Sequence, residues 1–222
     1  MDHYTEPNWT RSALLTIDVQ RDFVVPGAPV LIAGTQEIVP AIQRLVRAYR
    51  SAHLTIIHVI RLYLGNGSNA DLCRRARIEV GGKVVLPGSE GSQIVGELLP
   101  SPSVLLNERN LLAGEIQSIG DQEWILYKPR WGAFYKTRLG EYLRQLEVDT
   151  LVFSGCNFPN CPRTRIYEAS ERDFRVVLVK DAVSGIYDQG LRELRGIGVN
   201  PVTTDECVRN VASVGLSSEF ST

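Results

Sequence analysis

Three side chains able to carry acid–base and nucleophilic chemistry stand just past three separate apolar runs. Asp18 closes Ala13-Leu14-Leu15-Thr16-Ile17, and Lys128 closes Trp124-Ile125-Leu126-Tyr127. Thr150-Leu151-Val152-Phe153-Ser154 ends at Gly155 and leads into Cys161. A carboxylate, an ammonium and a thiol brought to one place supply a proton shuttle, a charge stabiliser and a nucleophile. Cys161 is followed by Pro162 and by Arg163-Thr164-Arg165-Ile166-Tyr167-Glu168-Ala169, which suits a helix. Proline is favoured at the first helical position, so the spacing predicts Cys161 as the N-cap. A thiol there faces free backbone N–H groups and the positive end of the helix dipole. Both favour thiolate, the reactive form, and a neighbouring Lys128 ammonium adds to the effect. The same N–H groups suit an oxyanion formed at a carbonyl. Asp18 is then placed to pass a proton to a departing amine and to activate water.

The scaffold for these groups can be read from the runs themselves. Six apolar runs are expected as strands: 13–17, 54–60, 124–127, 150–154, 175–179 and a weaker one at 199–203. They are nearly continuous rather than alternating, the mark of strands buried on both faces in a parallel sheet. Helical spacing is expected over 36–52, 137–146, 163–172 and 189–196. Strand–helix alternation reads as a doubly wound α/β fold, in which ligands bind outside the carboxyl ends of the strands. No linker or low-complexity segment intervenes, so one domain is expected over 1–222. The interval 61–122, with Gly65-Asn66-Gly67-Ser68-Asn69, Gly81-Gly82 and Pro87-Gly88-Ser89, is too long for an ordinary α/β connection. It is expected as an excursion covering the site.

Composition narrows the partners. The 222 residues are 44% hydrophobic and 22% charged, with 24 basic against 25 acidic residues. That balance leaves no general field for nucleic acid. No apolar run reaches the roughly 18 to 20 residues of a membrane span, and the first dozen residues lack a signal-peptide pattern. A cytoplasmic location and a small-molecule partner are the expectation, with neither nucleic acid nor membrane. In that setting the four cysteines are expected as thiols, each needing its own explanation.

Asp18 within Leu14-Leu15-Thr16-Ile17-Asp18-Val19-Gln20-Arg21-Asp22-Phe23, Lys128 within Lys128-Pro129-Arg130-Trp131-Gly132-Ala133-Phe134, and Cys161 within Ser154-Gly155-Cys156-Asn157-Phe158-Pro159-Asn160-Cys161 follow one another in order. With Asp181-Ala182 after the fifth run, this order resembles the isochorismatase-like cysteine hydrolases, among them nicotinamidases and N-carbamoylsarcosine amidohydrolase. The resemblance runs from about Ser12 to about Asn210. It implies an α/β, three-layer, Rossmann-like fold with a six-stranded, mainly parallel sheet flanked by helices. It implies hydrolysis of a C–N bond of a small amide, carbamoyl or ureido compound through a thioester, with Asp18, Lys128 and Cys161 catalytic. It further implies an oxyanion hole from the Asn157 and Cys161 N–H groups, a cis peptide at Cys156–Asn157, and a homo-oligomer, dimer or tetramer. A cyclic imide, hydroxamate or lactam hydrolase and a catalytically silent small-molecule binder are the alternatives. Nicotinamidases of this superfamily carry an Asp-x-His metal motif after the second strand. Here His58 lies within the run and Arg61-Leu62-Tyr63-Leu64 comes next, so neither a metal nor another cofactor is expected.

Around this centre Gln20, Phe23, Arg61, Asn69, Trp131 and Phe158 are the candidate substrate contacts, with Asp71 beside them. Arg74, Arg75 and Arg77 form a basic cluster that suits either an acidic substrate group or a solvated face. Cys156 is expected as a packing residue that competes with Cys161 for the nucleophile's role, while Cys73 and Cys207 read as small hydrophobes.

Overall fold

The computed structural model describes residues 3–219, with side chains described up to Val214. The ends of the domain expected over 1–222, namely 1–2 and 220–222, lie outside the described residues. A seven-stranded sheet forms the middle layer, in the order β3-β4-β2-β1-β5-β6-β7. Its strands are β1 (Ser12–Ile17), β2 (Thr55–Ile60), β3 (Ile116–Gly120), β4 (Glu123–Tyr127), β5 (Thr150–Gly155), β6 (Arg175–Val183) and β7 (Asn200–Val202). All pairings are parallel except β3 with β4, which run antiparallel. The expected six strands are present, and β3 is a seventh at one edge. Its residues are half-buried or exposed, and a short edge strand has little apolar signal.

The period of two sorts the central strands between two cores. Leu14, Ile56, Ile125, Val152 and Val177 face a layer built by helices α2 (Thr35–Ser51) and α8 (Thr204–Glu219). Ala13, Leu15, Ile17, Ile57, Leu151 and Phe153 face the other layer, with α5 (Leu139–Gln145), α6 (Cys161–Ser170) and α7 (Asp188–Gly196). The remaining helices are short: α1 (Arg21–Val24), α3 (Leu72–Glu79) and α4 (Glu108–Leu112). Among the described residues no helix is long and apolar enough to cross a membrane.

The chain leaves β1 toward β2 on one side and leaves β5 toward β6 on the other. Between β1 and β5 the strand order therefore reverses, and the connections open a crevice at their carboxyl ends. Asp18 and the 156–161 loop are the segments that border it. The two strands meet closely there: Cys156 N donates to Ile17 O at 2.9 Å. Gly155 has φ +110°, and a Cβ on it would lie 2.2 Å from Ile17 O. Only glycine tolerates that approach.

Candidate active site

The strand ends converge as their order requires. Lys128 Nζ donates to Asp18 Oδ2 at 2.7 Å and to Cys161 Sγ at 3.2 Å, so one ammonium bridges the carboxylate and the sulfur. Asp18 leaves β1 at φ 53°, a left-handed conformation uncommon for a residue with a Cβ. Its N–H is spent on Val59 O at 2.9 Å, which ties the turn to β2. Strain of this kind costs on the order of 1–3 kcal/mol and persists where surrounding structure enforces it. Cys161 opens α6 as its first helical residue, with Asn160 as N-cap and Pro162 in the first turn. This corrects the expected N-cap by one position. The Cys161 N–H still lies in the first turn, where helical N–H groups lack intrahelical partners. Cys161 is 9% exposed and lines a cavity of about 470 Å³ together with Asp18, Cys156, Asn157 and Asn160. The Cys156–Asn157 peptide is trans, contrary to the expected cis bond. Gly155 supplies the turn, and trans is the favoured form by about 3–4 kcal/mol.

The charges are arranged unevenly. Burial works to raise the Asp18 pKa, yet Lys128, Arg165 and Arg61 hold it below its usual value. Lys128 is fully buried, and burial with the Arg165 and Arg61 charges brings its pKa down to about 8. Arg165 is a member of this cluster that the sequence did not single out. It lies 0% exposed, with a guanidinium nitrogen 3.9 Å from Asp18 Oδ2. Among the described residues none of its three guanidinium nitrogens has a hydrogen-bond partner, and neither does Asp18 Oδ1. A signal existed: Arg165 stands four residues after Cys161, hence on the same face of a helix.

Of the expected substrate contacts, Phe23, Arg61 and Trp131 line the cavity, and three others do not. Gln20 is fully buried; its amide donates to Arg61 O at 2.7 Å and Ser92 O at 2.6 Å and accepts from Arg61 N at 2.8 Å. Every polar atom of that amide serves backbone, so Gln20 positions the segment carrying Arg61. Asn69 accepts from Leu64 N at 2.9 Å and donates to Leu62 O at 2.9 Å and Tyr127 Oη at 3.0 Å. It closes its own loop. Phe158 is fully buried and meets Tyr187 edge-on at 5.3 Å. It fills the space that Gly190 leaves, where a Cβ would come within 2.4 Å of its ring. The excursion contributes Arg61, Tyr63, Arg74, Arg77, Ile78 and Val84 to the cavity, while its later part builds α4 and β3. The opposite wall, 28–32, carried no signal beyond its apolar composition.

Cys156 also lines the cavity, but its Sγ donates to Asp18 O at 3.1 Å. Burial, with the Asp18 and Cys161 charges beside it, pushes its pKa well up. His58 is occupied within the sheet, bonded to Thr16 Oγ1 and Glu123 Oε1, both at 2.7 Å. Among the described residues no group of three or more His, Cys, Asp or Glu side chains is placed to hold a metal ion.

The isochorismatase domain family matches residues 12–206. The chain belongs to the isochorismatase family. A curated relative, a probable inactive nicotinamidase of Arabidopsis thaliana, is 29% identical over 212 residues, covering 92% of this chain and 98% of that one. An isochorismatase family protein of Desulfovibrio vulgaris superposes with a TM-score of 0.75 at 30% identity, over 96% of this chain and 99% of that one. An N-carbamoylsarcosine amidase of Thermoplasma acidophilum shares the fold, with a TM-score of 0.67 at 21% identity over 88% and 97% of the two chains.

Proposed function

We propose that this family member is a cysteine amidohydrolase that cleaves a C–N bond of a small amide, carbamoyl or ureido compound using its own side chains. The observation that carries this reading is the Lys128 ammonium bridging Asp18 and Cys161 on the wall of a small-molecule-sized cavity. The Cys161 thiol gives its proton to the Asp18 carboxylate, and the sulfur forms a bond to the substrate carbonyl carbon. The carbonyl becomes an oxyanion, received by the Cys161 N–H in the first turn of α6. Collapse breaks the C–N bond, and Asp18 returns the proton to the departing amine. Water then attacks the thioester, passing a proton to Asp18. Collapse breaks the C–S bond, releases the acid and restores the thiol. Lys128 holds both anionic partners in register throughout.

The Arabidopsis relative, named as probably inactive, makes a catalytically silent binder the second reading. The complete Asp18–Lys128–Cys161 set favours turnover. The test is ammonia release from a panel of small amides, carbamoyl compounds and ureides, paired with mass spectrometry of the intact protein. Turnover with a transient acyl adduct on Cys161 is expected. Activity surviving in Cys161→Ala, or no ammonia from any member of the panel, overturns the reading.

A further inference from the structure

We infer that the cavity selects an amide that also bears a carboxylate, received by Arg61 inside the cavity and by Arg74 and Arg77 at its mouth. The amide rests on the hydrolase reading; the anionic group does not. Three arginines line the cavity, and the one acid lining it, Asp18, is ion-paired to Lys128 at 2.7 Å. Asp71, an acid beside Arg61, lies outside the lining. It accepts from Tyr63 Oη at 3.0 Å and stands 3.2 Å from Arg61 Nη1. With Asp18 set against Lys128 and Asp71 against Arg61, the Arg74 and Arg77 charges leave the cavity an excess of positive charge at its wall. It is a local excess in a chain whose total charge is near zero.

Arg61 is the decisive residue. It is 3% exposed, and its Nη1 is ion-paired with Asp71 at 3.2 Å without making a hydrogen bond among the described residues, so the pairing is incomplete. A buried guanidinium is costly unless its N–H groups are met, and a planar fork matches a carboxylate bidentately. Its backbone is clamped from both sides by the Gln20 amide, so the fork is held in place before a ligand arrives. Arg74 and Arg77 are exposed on α3, and Arg77 Nη2 donates to Pro29 O at 2.7 Å, tying the helix to the opposite wall. The lining also carries an apolar set, Phe23, Val30, Ile32, Ile78, Val84 and Trp131, beside these charged groups. A ligand with an apolar body, a carboxylate at one end and an amide at the other matches this division. A cationic amide meets three like charges.

The test is protection of Cys161 against iodoacetamide, read by peptide mass, with glutarate as the anionic probe and 1,5-pentanediol as its neutral match. Affinity is read in parallel by isothermal titration of the same probes. Glutarate is expected to slow alkylation of Cys161 while pentanediol does not. The midpoint is expected to rise by at least about tenfold in Arg61→Met, the loss of one charged hydrogen bond. The exposed double variant Arg74→Gln/Arg77→Gln is expected to weaken glutarate in the same direction, and it serves if Arg61→Met does not fold. Glutarate binding no tighter than pentanediol, or equally tight in wild type and the variants, overturns the proposal. Ammonia release is not part of this readout. Failure here with amides still hydrolysed leaves the hydrolase reading standing, and glutarate protection without hydrolysis of any amide does the reverse.

Discussion

Two buried polar clusters share this sheet and differ in one respect. Thr16, His58 and Glu123 on the strands and Arg50 on α2 form a closed chain. His58 bonds Thr16 and Glu123, Arg50 donates to both Glu123 oxygens at 2.7 and 2.8 Å, and it also donates to Leu98 O at 2.6 Å. At the strand ends, Asp18, Lys128, Cys161, Arg165 and Arg61 form an open cluster. There Asp18 Oδ1, one Arg61 nitrogen and the Arg165 guanidinium lack hydrogen-bond partners among the described residues. Buried polar groups are almost always satisfied, so each exception needs a reason. The closed chain acts as a polar rivet between α2 and the sheet. The open cluster keeps a strained aspartate, a bridging ammonium and a sulfur beside a cavity, which on the proposed function is where a reacting molecule completes it. The contrast separates structure from chemistry without reference to residue type, since both clusters contain an acid and a base.

Substitutions should split along that line. Cys161→Ala is expected to lower kcat/KM for any amide found by at least about 10⁴-fold, the scale of losing a nucleophile, while thermal unfolding stays near wild type. Asp18→Asn should cost about 10²–10⁴-fold, the usual share of general acid–base catalysis. Glu123→Ala should do the opposite. It should destabilise the fold by about 3–5 kcal/mol in denaturant unfolding, since it strands His58 and Arg50, while kcat per folded molecule is retained. Burial works to raise the Glu123 pKa, but hydrogen bonds from Arg50 and His58 hold it below its ordinary 4.5. On acidification the unfolded carboxyl therefore takes a proton first. The stabilisation is complete above about 4.5 and is lost as pH falls through the lowered folded value. Glu123→Gln should flatten this acid loss. A large drop in kcat for Glu123→Ala would erase the distinction between the clusters.

What the sequence makes legible is governed by the same physics. The strand ends are legible because strands covered on both faces read as continuous apolar runs, and each run delivers its next residue to one edge of the sheet. Asp18, Lys128 and Cys161 are found that way. β3 is not, because a half-exposed edge strand lacks such a run. α8 is not, because its Cys207, Val208, Val211 and Val214 keep helical spacing among poor helix formers. Gln20, Asn69 and Phe158 have suitable chemistry at suitable places in the chain. Their partners, Ser92, Tyr127 and Tyr187, are set by tertiary contacts that local pattern does not encode. Arg165 is the instructive miss. An arginine on a helix normally reads as solvated, and only the burial of the Cys161 face makes it a neighbour of Asp18.

Arg165 also sets a smaller, more pointed test of the open cluster. Lys128 is faced by Arg165 from α6, Arg61 after β2, Asp18 after β1 and Cys161. Burial is the main cause of its lowered pKa, and Arg165 is the largest of the charges acting in the same direction. As pH rises through about 8 the ammonium loses its proton, and the clamp on Asp18 and Cys161 goes with it. The kcat/KM profile should therefore have a descending limb near that pH. Arg165→Met should move the limb to higher pH, though still short of the ordinary lysine value because burial remains. A limb that stays fixed, with kcat reduced equally at every pH, would assign Arg165 to packing alone.

The smallest effect concerns the second sulfur at the cavity. Cys156 and Cys161 stand five residues apart, just after β5 and at the start of α6, and both line the cavity, so proximity does not distinguish them. Their surroundings do. The Cys156 thiol is spent as a donor to Asp18 O, and burial with the charges of Asp18 and Cys161 opposes its ionisation. Cys161 instead accepts from the Lys128 ammonium. A thiol acting as donor and held neutral is a poor nucleophile. Cys156→Ala should keep kcat/KM within about threefold of wild type, as expected for loss of one weak hydrogen bond. Iodoacetamide should continue to modify Cys161 in that variant, while in Cys161→Ala it should leave Cys156 unmodified. Alkylation of Cys156 in Cys161→Ala, accompanied by residual turnover, would make the two sulfurs interchangeable and dissolve the asymmetry that Lys128 imposes.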